Sequence, residues 1–367
     1  MHKIVVKVGT STLTQGKKKL SRTYMAELVR QLAHLHNLGK QVVLVSSGAI
    51  AAGRALLNFP KVERSLPSKQ MFFSVGQVKL MQTWSKLFSL HDLHVGQVLL
   101  TREDFSHRRR YLNARDALAC LFQHRIIPIV NENDAVTTKE IRVGDNDNLA
   151  ALVAGLIAAD VMVLLTDQEG LYTKDPRLDP TAKLITTVEQ IDANIFALAG
   201  GSTTSLGTGG MRTKVEAAQV AAQCGTRTII ASSSRSNVLI DIVEGKSVGT
   251  LFLAEISSKE SRKRWLLSEK RGGSIFVDEG AAVKILHKGA SLLPSGVVRT
   301  GGPFERGTTV HIVAPSKKSI AVGIANYGSE EIERLCGKQS SEIEKILGYS
   351  YGPEIIHRSD MTRTQRK

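Results

Sequence analysis

The sequence predicts an α/β protein: a mainly parallel sheet sandwiched by helices, followed by a small second domain resembling a β-barrel. Two observations carry this. From residue 1 to about 255, short apolar runs rich in β-formers alternate with amphipathic stretches, the pattern of βαβ units and a parallel sheet. Beyond about residue 273 the texture changes to short strands separated by glycine turns. Between them Glu255–Arg271 is a charged run that reads as a linker with a short helix. The expected division is therefore 1–255, a linker 256–272, a second domain 273–352, and a basic tail 353–367 whose end should fray.

The elements follow in order. Ile4–Val8 reads as the first strand. A helix should cover Ser21–Leu38, with Ser21 as N-cap, Met25, Leu28, Leu32 and Leu35 on one face, and Gly39 just past its end. Further strands are expected at Val42–Val45, His94–Leu100, Ile126–Val130, Val161–Leu165 and Thr228–Ala231, most followed at once by Gly, Ser, Thr, Asn or Asp. Ligands of open α/β sheets sit outside the carboxyl ends of the strands, so a site is expected along that edge. In the second domain, strands are expected at Ser274–Asp278, Ala282–Leu286, Gly296–Thr300, Thr309–Val313 and Ile320–Ile324, with a helical segment over Ser329–Leu347.

Composition bounds the function. The 367 residues are 42% hydrophobic and 23% charged, ordinary globular usage that excludes a disordered or fibrous main body. The chain runs directly from Met1 into a strand pattern, without the regions of a signal peptide, so secretion is not expected. The longest greasy stretch, Ala150–Leu165, is broken by Asp160 and falls short of the roughly 20 residues a bilayer requires. It reads as a buried helix followed by a buried strand, and no membrane association is expected. Cys120, Cys224 and Cys336 lack CxxC or Cys/His spacing, which fits a reducing cytoplasm. The formal charge of +15 points to a partner rich in phosphate, a nucleotide or a nucleic acid.

Six segments carry candidate chemistry. Lys7 lies in an apolar strand ahead of Gly9, Thr10 and Ser11, which suits phosphate binding or, more blandly, an edge-strand lysine facing water. Ser46–Ile50 follows a strand and opens a helix, offering N–H groups to an anion or merely turning the chain. Asn131–Asp134 and Gly144–Asn148, the latter ahead of a helix over Leu149–Ala158, suit magnesium or a substrate ammonium group; Asx turns and an N-cap are the alternative. Thr166 and Asp167 end a strand where a nucleotide ribose or base could rest. Leu206–Lys214 is a glycine loop feeding a helix whose Met211, Val215, Ala218 and Ala222 share a face, suited to the β- and γ-phosphates or to a structural turn. It matches neither GxxxxGK[ST] nor GxGxxG, which counts against a P-loop enzyme and a Rossmann dehydrogenase.

In this order the segments VVKVGTS (5–11), VSSGAIAAG (45–53), NENDAV (131–136), VGDNDNLAAL (143–152), LLTDQEGLYTKDPR (164–177) and GTGGMRTK (207–214) resemble the amino acid kinase family. The resemblance runs on through SVGTLF (247–252) and RKRW (262–265) into a segment near 273–352 that looks like a PUA domain, and so covers essentially the whole chain. It implies ATP-dependent phosphorylation of the γ-carboxylate of L-glutamate to L-glutamyl 5-phosphate, the first step of proline biosynthesis, with ATP and Mg2+ as cofactors. It further implies that Lys7 and Lys214 contact the transferring phosphoryl group and that Asp147 holds both lysines. Ser47, Asp134 and Asn146 would bind glutamate, Thr166 and Asp167 the nucleotide, and Thr208, Gly209, Gly210, Met211, Arg212, Thr213 and Lys214 its phosphates, together with Lys7. No metal ligand is assigned. A homo-oligomer, a tetramer being one form, feedback by proline and hand-over to a glutamyl-phosphate reductase are implied in the same way. The competing class is an RNA-binding or RNA-modifying protein, motivated by the basic charge, the run Arg108–Arg110 and the PUA-like segment; aromatics at 5% without an RNP-like cluster speak against it.

Overall fold

The computed structural model describes residues 1–63, 65–136, 145–200, 210–257, 260, 261, 263, 266, 267 and 271–364, the side chain of residue 145 excepted. The chain forms two compact units, one of residues 1–107 with 113–258 and one of 108–112 with 259–367. Of the expected linker 256–272, residues 258, 259, 262, 264, 265 and 268–270 lie outside the described residues.

The first unit is built in the order β1 (Lys3–Val8), α1 (Thr10–Thr14), α2 (Arg22–Asn37), β2 (Gln41–Ser46), α3 (Ala49–Leu56), α4 (Leu66–Ser89), β3 (Val95–Leu100), α5 (Arg102–Ser106), α6 (Arg108–Gln123, of which Arg108–Leu112 are counted in the second unit), β4 (Ile127–Glu132), α7 (Asp145–Ile157), β5 (Val161–Thr166), β6 (Thr187–Val188), α8 (Ala193–Ala199), α9 (Met211–Gln223), β7 (Arg227–Ser232), α10 (Val238–Val243) and β8 (Thr250–Phe252). Its eight strands lie in the order β3-β4-β2-β1-β5-β7-β8-β6. All neighbours pair in parallel except β7 and β8, so β8 and its parallel partner β6 run against the rest. The parallel strands consequently deliver all their carboxyl ends to one edge.

Strand β1 is central, between β2 and β5, and its Val5 and Lys7 are buried, as is Leu44 of β2. Alternation sends Ile4, Val6 and Val8 to the face packed against Met25, Leu28, Leu32, Trp84 and Phe88. Val5 and Lys7 therefore share the other face, against which α7 packs. Helix α2 forms where its pattern demands: the Ser21 hydroxyl accepts from the Tyr24 N–H at 3.3 Å, and Leu28, Leu32 and Leu35 are buried. Such a cap contributes about 1 kcal/mol, and each buried leucine roughly 1.5–3 kcal/mol.

Helix α4, the longest, shows no clean apolar stripe in sequence; a Ser65 cap, Pro67 in the first turn and buried Phe72, Phe73, Leu80, Trp84 and Phe88 define it. It packs backbone to backbone on α3. A Cβ at Gly76 would fall 1.8 Å from the Ala49 carbonyl oxygen, and one at Gly53 would fall 1.9 Å from that of Phe72. Helix α7 begins at Asp145, not at Leu149 as its apolar run implies, because Asp145–Asn148 supply the polar first turn that a helix N-terminus favours.

The second unit holds a five-stranded sheet in the order β10 (Val297–Gly301), β9 (Arg271–Val277), β11 (Thr309–Val313), β12 (Ser319–Ile324), β13 (Met361–Arg363). Strands β9 and β11 are parallel and the other pairs antiparallel. Ile275, Val277, Val310, Ile312, Tyr327 and Ile355 centre its core. Three expectations are corrected here. Ala282–Leu286 is helical rather than a strand, because Asp278 accepts from the Ala281 N–H at 2.6 Å and starts a helix over Glu279–Val283 that continues as a turn of π-helix. The helical segment after Ser329 is broken after Leu335, where Gly337 takes φ +71°, and resumes over Ile343–Leu347. Met361–Arg363, inside the basic end Arg358–Lys367 expected to fray, pairs with β12 as an edge strand of the sheet.

Candidate active site

At the carboxyl edge of the parallel strands three charged side chains meet in the interior. Asp147, on the first turn of α7, is fully buried; the Lys7 ammonium lies 2.5 Å from its Oδ1 and the Lys214 ammonium 3.2 Å from its Oδ2. Lys7 comes from β1 and Lys214 from the first turns of α9, and both are about 95% buried. A lysine on this central strand does not face water, so the edge-strand alternative fails. Register places Lys7 beside Val45 and Leu164, one residue short of the strand end. Gly9 leaves its ammonium room, since a Cβ there would approach Nζ to 3.3 Å.

The cluster carries a net charge of +1, from two ammonium groups and one carboxylate. Burial alone would raise the Asp147 carboxyl, but the charges of Lys7 and Lys214, with the Thr213 hydroxyl at 2.9 Å, overcome it and hold the group below the ordinary carboxylate value. Burial lowers the Lys7 ammonium from its usual value, and Asp147 opposes that shift. Asp147 Oδ1 is held by the 2.5 Å ion pair with Lys7. The single Thr213 proton is shared between Asp147 Oδ2 and the Gly210 carbonyl, both at 2.9 Å.

Among the described residues helix α9, which opens at Gly210, has neither a side-chain cap nor an acidic residue in its first turn, and such an N-terminus favours an anion. Thr208 and Gly209 lie outside the described residues. Arg212 is exposed and pairs with Glu216 at 3.2 Å, away from the lysines. Thr166 ends β5, next to β1, and its hydroxyl donates to the exposed Asp167 at 2.9 Å. Beyond them Gln168, Tyr172, Lys174, Pro176, Leu198 and Met211 line a small cleft of about 40 Å³. A larger cavity of about 150 Å³ lies at the opposite ends of β1 and β2, lined by His2, His36, Gln41 and Arg125, and holds none of these groups.

On the other side of the lysine pair sit amides and a hydroxyl. Asn146 Nδ2 donates to Ser47 Oγ at 2.8 Å and to Asn131 Oδ1 at 3.0 Å. Ser47 follows β2 and Asn131 is the fifth residue of β4, so three sequence-distant segments converge. Asp134 is half-buried in the turn after β4. In the sequence Asn131 is distinguished only as part of an Asx-rich segment, and Gln77, whose Oε1 accepts from Asn131 Nδ2 at 2.9 Å, is not among the candidate residues. Nothing local in the α4 sequence marks that glutamine.

Residues 2–232 match the model of the amino acid kinase family, and residues 273–347 that of the PUA domain. The chain belongs to the amino acid kinase family. Its relatives include the glutamate 5-kinase of Pasteurella multocida (strain Pm70), 51% identical over 358 residues, and that of Haemophilus influenzae (strain PittEE), 52% identical over 359 residues; in both cases 98% of this chain and 98% of the relative are covered. Among solved structures, UMP kinase from Bacillus anthracis aligns with a TM-score of 0.48 at 12% identity, covering 69% of this chain and 96% of that one. Membership of this kinase family implies the use of ATP.

Proposed function

We infer that this kinase transfers the γ-phosphoryl group of ATP to the side-chain carboxylate of L-glutamate, giving L-glutamyl 5-phosphate and ADP. Full-length relatives at about half identity, named for that activity, support the reading, and the observation that carries its chemistry is the buried Lys7–Asp147–Lys214 cluster. The acceptor needs no general base: a glutamate side chain, with a pKa near 4.3, is an anion at neutral pH. One of its oxygens attacks the γ-phosphorus in line, the bond to the β-bridging oxygen breaks, and ADP leaves. No proton has to move. The obstacle is repulsion between carboxylate and phosphate, and two ammonium groups fixed before substrate arrives offset it without reorganisation.

In this reading Lys7 and Lys214 contact the transferring group, and Asp147 positions both. Ser47, Asp134 and Asn146 hold glutamate; Thr166 and Asp167 hold the nucleoside, and Thr208–Lys214 with Lys7 its phosphates. The domain division is proposed as catalysis in 1–255, a linker to 272 and the PUA domain from 273. Magnesium, bound with the phosphates, would supply neutralisation of their charge; such ions keep several waters and take one or two carboxylates. Among the described residues no group of three or more His, Cys, Asp or Glu could cage it.

The product is an acyl phosphate, labile in water, so a reductase that consumes it is the natural next partner in proline synthesis. A cytoplasmic setting is supported by three free cysteines. Among the described residues no helix is long and apolar enough to cross a membrane. A homo-oligomer is part of the proposal. RNA binding is not favoured, since the relatives matched across both units are named as glutamate kinases. The test is ADP release and hydroxamate formation with Mg-ATP and hydroxylamine, comparing L-glutamate, aspartate, acetylglutamate and no acceptor. Glutamate-dependent signal in both channels is expected; signal with a different acceptor, or none with any, overturns the assignment.

A further inference from the structure

An unbroken chain of amide hydrogen bonds runs from the surface of the first unit to the proposed glutamate site. Gln77 Nε2 donates to Gln97 Oε1 at 3.0 Å, and Asn131 Nδ2 donates to Gln77 Oε1 at 2.9 Å. Asn146 Nδ2 then donates to Asn131 Oδ1 at 3.0 Å and to Ser47 Oγ at 2.8 Å. The two ends of a carboxamide are nearly identical in shape and opposite in hydrogen-bonding sense, so such a chain has two conceivable polarities. One contact removes the ambiguity. The backbone N–H of Glu132, which can only donate, meets Asn131 Oδ1 at 2.9 Å.

That donor forces Asn131 to present Nδ2 to Gln77 and its oxygen to Asn146. Asn146 must then spend Nδ2 on Asn131 and Ser47, which leaves Oδ1 as a buried acceptor without a partner among the described residues. An acceptor of this kind is matched by a donor brought into the site, and the α-ammonium group of an amino acid is one. Gln77 is buried on α4, the helix locked to α3 by the close approach of Gly76 and Ala49. Two turns along the same face, Trp84 Nε1 donates to Ser46 Oγ at 3.1 Å, behind Ser47.

We propose that Gln77 is a positioning residue for the amino-acid substrate: it holds the Asn131 amide in one orientation and thereby sets which end of Asn146 is offered to glutamate. The proposal rests on the glutamate reading of the Ser47 and Asn146 site. It touches no reacting atom, so its loss weakens substrate binding and spares the phosphoryl step. Gln77→Met keeps the length and removes both hydrogen-bonding ends. Gln77→Glu keeps the acceptor that Asn131 needs, while Gln97, exposed at its other side, can turn its own amide to donate.

The experiment measures KM for glutamate, KM for ATP and kcat by ADP release with purified full-length wild type, Gln77→Met and Gln77→Glu. The expected result is a glutamate KM raised on the order of tenfold in Gln77→Met, from one buried amide left unmatched, with kcat and the ATP KM nearly unchanged. Gln77→Glu should recover most of that loss. An unchanged glutamate KM in Gln77→Met overturns the proposal and leaves the glutamate reading standing, as does an equal rise in the ATP KM or a failure of Gln77→Glu to rescue. Absence of glutamate-dependent turnover in the wild type overturns the functional reading and this proposal with it.

Discussion

Replacing Asp147 by Asn keeps the side-chain volume and removes the charge, which separates the electrostatic role of this residue from its packing. The Lys7 and Lys214 ammonium groups lie 2.5 and 3.2 Å from its oxygens. At an effective dielectric near 20 these contacts correspond to roughly 7 and 5 kcal/mol of Coulomb attraction. Burying each ion costs several kcal/mol in return, so the intact cluster is nearly neutral for stability, and what matters is the state left behind: two buried ammonium groups without their anion. Removing one partner of a buried pair typically costs about 3–5 kcal/mol. Lys7, already lowered by burial, limits the loss by giving up its proton. The expected result for Asp147→Asn is an unfolding midpoint lower by roughly 5–15 °C, taking about 2–4 °C per kcal/mol for a unit of this size. The kcat should fall by about 10²–10³, as when one preorganised donor is lost. Because the residual rate then depends on a protonated Lys7, it should rise as pH is lowered. Calorimetry and ADP release across pH test this. A variant with wild-type kcat and midpoint would refute the positioning role of the carboxylate.

Lys214→Ala leaves Lys7 and Asp147 as a neutral pair, so its melting curve should stay close to wild type while turnover falls by at least about 10²; retained turnover removes Lys214 from the catalytic role. Gly76→Ala forces a Cβ to within 1.8 Å of the Ala49 carbonyl. The overpacking cost of about 1–3 kcal/mol or more outweighs the gain of up to about 1 kcal/mol in helix propensity, so denaturant unfolding should show net destabilisation. Acid titration should show stability falling below pH 3.8: the Asp147 carboxyl is lowered in the fold from that ordinary value, so its contribution is complete above 3.8 and lost as pH falls through the folded value. Lys7 works in the other region, its charged form being disfavoured in the fold, so its contribution improves as pH rises towards 10.5. In Asp147→Asn the acid limb should flatten; an unchanged limb places the acid-sensitive group elsewhere.

The sheet was legible because its information is local: β-branched runs such as Ile4–Val8 and Val161–Leu165 declare buried parallel strands, and the small polar residues after them mark the edge where ligands bind. Lys7 was ambiguous for a reason the fold explains. A lysine among valines faces water on an edge strand and demands an anion on a central one, and strand order is not written in the strand itself. Asp147 was harder still. An aspartate in a first helical turn is ordinarily an exposed complement to the helix dipole, and only the arrival of Lys7 from β1 and Lys214 from α9 makes a fully buried one tolerable. Gln77 marks the limit of local reading. Its role exists only through Asn131, 54 residues away, whose orientation is in turn set by a main-chain N–H, a group every sequence position but proline carries alike. Residue types and spacing can therefore reveal groups that carry charge to a site, whereas the polarity of the amides that orient them is decided by backbone geometry and appears only in the folded chain.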